Sequence, residues 1–131
     1  MMMGRALVDA GPLVALVSTR EEHHQSCAQQ AHELAPPLLT CWPVITEACW
    51  LLRYEPVGVQ QLLRGFETGM FRSLELDERA PAWIAAFVRR YEKIGAHVAD
   101  AALVYLAERE DIETVFTLDR RDFSIYRLKG G

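Results

Sequence analysis

Four acidic residues, Asp9, Glu47, Asp100 and Asp119, stand where a carboxylate can do more than solvate a surface. Asp9 ends the short apolar run Arg5-Ala6-Leu7-Val8 and is followed by Gly11-Pro12, a pair that turns the chain and starts a helix. Asp119 comes two residues after Thr114-Val115-Phe116-Thr117, a run rich in strand formers. Glu47 shares a helical face with Val44, Trp50, Leu51 and Tyr54, and Asp100 shares one with Leu103, Val104 and Ala107. A carboxylate on an apolar surface must be protonated, matched by a cation, or coordinated to a metal, because leaving it charged and unpaired costs several kcal/mol.

Each acid also has an ordinary explanation. Asp9 could cap the helix that follows it, and Asp100 sits in a first helical turn, where the macrodipole favours an acid. Glu47 could pair with Arg53 or Arg89, and Asp119 in Leu-Asp-Arg-Arg-Asp could be a turn residue. Their joint placement is what distinguishes them, and that depends on the elements.

Arg5–Val8 reads as a first strand. Glu21–Leu34 reads as an amphipathic helix stopped by Pro36-Pro37, and Leu38–Cys41 as a second strand. Pro43 opens a helix that ends or bends at Pro56, and a further helix of about a dozen residues runs to Gly69. Phe71–Leu76 is a third strand. Asp77 and Pro81 mark the start of a helix reaching to about Lys93, Gly95 breaks the chain, and Val98–Glu110 is an Ala-rich helix. Thr114–Thr117 and a last segment near Ile125–Leu128 complete the strands. Strands alternating with helices imply right-handed crossovers and an α/β fold, a three-layer α/β/α sandwich around a mostly parallel sheet of four to five strands. In such a sheet ligands bind beyond the carboxyl ends of the strands. Asp9 and Asp119 emerge from that edge, and the helices carrying Glu47 and Asp100 can both begin there.

The 131 residues, half of them hydrophobic, suit one domain over 1–131 with one core and no linker. A net charge of −4 argues against a protein that holds nucleic acid by bulk electrostatics, so any such role is local. Clustered acids with bound cations would reconcile the two. The three cysteines, Cys27, Cys41 and Cys49, match no metal-finger spacing and fit small core residues in a reducing cytoplasm. No stretch is long enough to span a membrane, and the N-terminal run is too short for a signal peptide. His23, His24, His32 and His97 show no metal-ligand spacing. Trp42, Trp50, Trp83, Phe87 and Tyr91 read as core or subunit contacts rather than base-stacking platforms. Arg120, Arg121 and Arg127 could touch phosphates.

Leu7-Val8-Asp9-Ala10 with Leu13 to Leu16, Ile45-Thr46-Glu47-Ala48, Val98-Ala99-Asp100-Ala101-Ala102, and Thr117-Leu118-Asp119 with Asp122-Phe123 together resemble the PIN-domain ribonucleases, and most of all VapC-type toxins of bacterial toxin–antitoxin pairs. The likeness runs over almost the whole chain; each motif alone is weak, and four in series are specific. Gly11-Pro12 departs from the pattern, standing where a small polar residue is more usual. The resemblance implies that Asp9, Glu47, Asp100 and Asp119 form an acidic pocket, that Thr117 or Thr46 supplies a supporting hydroxyl, and that Asp122 is a possible fifth member. It implies an endoribonuclease leaving 5′-phosphate ends, a homodimer, and an antitoxin whose tail blocks the acidic groove. Mg²⁺, with Mn²⁺ substituting, suits a site of oxygen ligands, with Asp9, Asp100 and Asp119 contacting metal and Glu47 orienting ligands or the attacking water. Two other readings compete: the same fold as a non-catalytic RNA-binding or protein-interaction scaffold, and a phosphoacceptor receiver domain. The second wants paired acids after the first strand, where this chain offers only Asp9.

Overall fold

The computed structural model describes residues 5–95 and 97–118. Four three-residue strands, β1 (Ala6–Val8), β2 (Leu38–Thr40), β3 (Phe71–Ser73) and β4 (Thr114–Phe116), form one sheet in the order β3-β2-β1-β4, with every pairing parallel. Successive side chains on a strand point to opposite faces. All three residues of β1 and of β2 are buried, so both faces of the central strands are covered, as parallel sheets require.

The cover is helical: α1 (Ala10–Val17), α2 (His24–His32), α3 (Trp42–Leu51), α4 (Pro56–Thr68), α5 (Ala80–Arg90) and α6 (Val98–Glu110). One group gathers around α1, which packs on α2, α3 and α4; α5 packs on α6, and α3 touches both α1 and α6. The buried apolar residues form one cluster, with α6 contributing an unbroken buried run from Ala101 to Ala107. No described helix is long and apolar enough to cross a membrane. The three cysteines are free thiols.

Local chemistry sets the boundaries. Prolines lie in the first turns of α3, α4 and α5, where a missing N–H is harmless. Gly69 and Gly95 follow helical segments with φ of +85° and +76°, the left-handed geometry that ends a helix.

β1, β2 and β4 are each one residue shorter than expected, and three other elements are trimmed further. The helix expected over Glu21–Leu34 spans His24–His32, residues 21–23 being bend and turn. The strand expected to Leu76 ends at Ser73: Leu74 N donates to Thr40 O at 2.8 Å, and the chain then leaves the sheet because Arg109 Nη1 holds Glu75 O at 2.7 Å. The helix expected to Lys93 ends at Arg90, and residues Glu92–Ile94 tighten into a 3₁₀ turn before Gly95. The Ile125–Leu128 segment lies outside the described residues.

Strand order fixes where a ligand can go. From β1 the chain crosses to β2 on one side and later returns to β4 on the other. The crevice beyond the carboxyl ends of β1 and β4 is therefore the topological switch point.

Candidate active site

Asp9 is held at that crevice from three directions. Its N–H donates to Phe116 O at 3.0 Å, which extends the β1–β4 ladder by one step. As the residue before α1 it acts as N-cap, with Oδ1 accepting from Ala10 N at 2.8 Å, while Oδ2 accepts from Thr117 Oγ1 at 3.2 Å. Beneath it, the fully buried Thr40 hydroxyl donates to Val8 O at 3.0 Å and ties the ends of β1 and β2 together. Asp100 is the third residue of α6, and its Oδ2 accepts from His97 N at 3.1 Å. Glu47 arrives from the second turn of α3.

The three carboxylates line one open depression of about 450 Å³, together with His97, Leu51 and Leu118 among others. Asp119 and Asp122 lie outside the described residues, as do Arg120, Arg121 and Arg127. Thr46 is exposed and does not line the depression.

Electrostatics shows what the arrangement lacks. Burial pushes the Asp9 carboxyl up to about 6, and the negative charges of Asp100 and Glu47 add to it; the Ala10 N–H and the Thr117 hydroxyl pull the other way without cancelling the rise. Glu47 is also raised, first by burial and then by Asp100, with His97 opposing. Among the described residues none of the three forms an ion pair with lysine or arginine. Arg53 instead stacks on Trp50 and Tyr54 and donates to Trp50 O, and Arg89 is exposed on α5. Capping thus describes one oxygen each of Asp9 and Asp100 but not the crowding of like charge. Nearby Cys41 is fully buried, and burial with the charge of Asp9 pushes its thiol up to about 11. Among the described residues no three His, Cys, Asp or Glu side chains form a ready ligand set for one ion.

Glu47's surroundings differ from the expectation. Val44 is buried, but Trp50, Leu51 and Tyr54 are 63%, 51% and 82% exposed, so the acid sits at the boundary between core and solvent rather than on a buried stripe. The stripe of Asp100 is as expected, with Leu103, Val104 and Ala107 buried. Trp42 and Trp50 are exposed, whereas Trp83 stacks on Phe87 and Phe87 packs on Tyr91 beside the core. His97, set aside above for want of a metal-ligand spacing, lines the depression; its place three residues before Asp100, a capping-box spacing, is the signal that points to it.

Comparison with known proteins bears on the family and the fold. Ribonuclease VapC26 of Mycobacterium tuberculosis is 30% identical over 128 residues, which is 95% of this chain and 94% of that protein. A crystal structure of Mycobacterium tuberculosis VapC20, described as a sarcin-ricin loop cleaving toxin, matches with a TM-score of 0.79 over 95% of this chain and 97% of its own, at 13% identity, a likeness of fold. The PIN domain family matches residues 6–129. With a family match spanning nearly the whole chain and a relative 30% identical over 95% of it, the chain belongs to the PIN-domain family.

Proposed function

We propose that this protein is a metal-dependent endoribonuclease, the toxin of a toxin–antitoxin pair, that hydrolyses RNA at the crevice between β1 and β4. The observation that carries the reading is the convergence of Asp9, Glu47 and Asp100 from three separate elements, unmatched by any arginine or lysine among the described residues, with the Asp9 carboxyl driven up to about 6. A surplus of negative charge held in place by backbone geometry calls for a cation.

The donor set decides which cation. The facing groups are carboxylate oxygens and a hydroxyl, which suit a hard ion that keeps several waters, Mg²⁺ or Mn²⁺. The buried Cys41 thiol, held protonated, disfavours a soft thiolate site. Asp9 and Asp100, with Asp119, would hold the ion. A divalent ion bound there supplies charge neutralisation for a phosphodiester and acidifies water. The chain's own groups do the rest. Thr117 keeps the Asp9 carboxylate aimed, the His97 N–H does the same for Asp100, and Glu47, raised and half-buried, accepts the proton of an attacking water and positions it. Hydrolysis in this sense leaves 5′-phosphate ends.

Ribonuclease VapC26 and the VapC20 toxin support RNA as substrate and an antitoxin as partner. Exposed Ile94 and Val98 beside the crevice offer apolar surface for a homodimer. Three free cysteines suit the cytoplasm.

The test uses purified protein and end-labelled RNA. Cleavage requires Mg²⁺ or Mn²⁺, stops with chelator, and is lost in Asp100→Asn. Wild-type cleavage by Asp100→Asn, or activity undiminished by chelator, overturns the reading; stoichiometric Mn²⁺ binding without turnover leaves a scaffold.

A further inference from the structure

The end of α3 carries an aromatic face that the proposed chemistry does not use. Trp50 and Tyr54 are largely exposed, and the Arg53 guanidinium lies over both rings, 4.0 Å from the Trp50 centroid and 4.7 Å from that of Tyr54. Arg53 Nη1 donates to Trp50 O at 2.8 Å, so a carbonyl in the last turn of α3 holds the cation in place. That bond uses one of five N–H donors. On the far side, Tyr54 and Arg20 line a cleft of about 330 Å³. Neither Arg20 nor Arg53 pairs with a carboxylate among the described residues.

Position gives this face its meaning. Trp50 is three residues, under one helical turn, beyond Glu47 on the same side of α3, and Leu51 between face and acids lines the carboxylate depression. A protein of net charge −4 with an acidic crevice repels a polyanion, so attraction for the rest of the strand must come from beside the crevice. Exposed aromatic rings with fixed guanidinium groups are the combination that binds unpaired bases and their phosphates without reading a duplex.

We infer that Trp50, Arg53 and Tyr54 form a stacking platform for a single-stranded RNA segment flanking the scissile bond, with a base on an aromatic ring, a phosphate on Arg53, and the strand continuing towards Arg20. The inference rests on the nuclease reading and extends it: the substrate is unpaired at this flank. A duplex cannot present a base face to Trp50.

The test measures binding apart from cleavage. Fluorescence anisotropy of labelled single-stranded oligoadenylate, in chelator, is compared for the wild type, Trp50→Ala, Trp50→Phe and Arg53→Ala, with sedimentation of each to give oligomeric state. The expected result is about tenfold or greater weakening for Trp50→Ala, near-wild-type affinity for Trp50→Phe, and for Arg53→Ala a weaker complex whose salt dependence falls by about one counterion. Unchanged affinity in Trp50→Ala, or no saturable binding by the wild type, overturns the platform. So does dissociation of a dimer by Trp50→Ala with affinity per protomer unchanged, which makes the face a contact between copies. Because the readout needs no turnover, weakening by Trp50→Ala in a protein that proves unable to cut RNA removes the nuclease reading and keeps the platform, and the reverse pairing removes only the platform.

Discussion

Helix α6 has a carboxylate cluster near each end, and the two are opposites. Near its C-terminus, Asp77 accepts from Tyr105 Oη at 2.5 Å and from Arg109 Nη1 at 3.2 Å, Arg109 Nε reaches Glu110 at 2.9 Å, and Arg5 completes the set on Glu110. Tyr105 and Arg109 hold the Asp77 carboxyl below its ordinary range. Near its N-terminus, Asp100 faces Asp9 and Glu47, and both of those are raised. Acids that stabilise a fold come with their cations. Acids crowded without them oppose the fold and mark the place where a cation from outside is expected.

The sharpest way to break this contrast is to remove charge at the unpaired cluster. Asp9→Asn and Asp100→Asn each lower the rate of RNA cleavage by more than about a hundredfold, the upper range for groups that merely support a metal ligand. Asp77→Asn leaves the rate unchanged. Single-turnover cleavage of labelled RNA checks all three, and comparable losses in all three would erase the distinction.

Next in size is an effect of opposite sign on stability. The folded Asp9 carboxyl sits at about 6, above its unfolded value of 3.8, so the folded chain binds that proton more tightly. Its contribution to stability is complete below pH 3.8 and is lost as pH rises through 6, up to about 3 kcal/mol by neutral pH. Metal-free Asp9→Asn is therefore more stable than the wild type at pH 7.5, and the gain shrinks towards pH 4. Mg²⁺ raises the wild-type melting temperature at pH 7.5, less at pH 5.5 where protons compete, and not at all in Asp9→Asn. Thermal melts across pH, with and without Mg²⁺, test the whole set.

The two clusters also differ in how far the sequence foretells them. Asp9 was legible because an acid directly after a short apolar run can only emerge at the carboxyl edge of a parallel strand, and Asp100 because the stripe of Leu103, Val104 and Ala107 fixes which side of α6 is buried. Helix α3 was not legible in that way. Trp42, Val44, Ile45, Ala48, Trp50 and Leu51 are apolar almost all round it, so periodicity cannot choose a face, and only packing against α1 and α6 shows that Val44, Ile45 and Ala48 go inward while Trp50 stays out. The paired cluster was invisible for another reason: Asp77 and Arg109 are 32 residues apart in sequence, and no local pattern signals that the chain beyond Ser73 turns onto the end of α6, where Arg109 holds both Glu75 O and Asp77.

A smaller change sharpens the comparison from within the crevice. Thr117→Val removes the hydroxyl that donates to Asp9 Oδ2 while keeping the shape of the side chain. Loss of that donor raises the Asp9 carboxyl further and frees its orientation, so the apparent affinity for Mn²⁺ falls by about tenfold, the lower range for a group supporting a ligand. Thr46→Val, at an exposed position outside the depression, leaves Mn²⁺ affinity unchanged. Equal effects from the two threonines would show that the hydroxyl contact is irrelevant.

The smallest effect belongs to the paired cluster itself. Asp77 is exposed, and exposed ion pairs contribute little, so Asp77→Asn lowers the melting temperature at neutral pH by no more than a few degrees. Its pH dependence carries the argument. With the folded carboxyl held below its unfolded value of 3.8, the contribution of Asp77 is present above that pH and is lost as pH falls beneath it. Wild-type and Asp77→Asn melting temperatures should thus converge in strong acid, whereas those of wild type and Asp9→Asn approach each other already near pH 4 and diverge as pH rises. Two aspartates near opposite ends of one helix would then bend the stability profile in opposite directions, which is what being paired and being left unpaired mean in thermodynamic terms. Parallel profiles for the two variants would show that the clusters do not differ in kind.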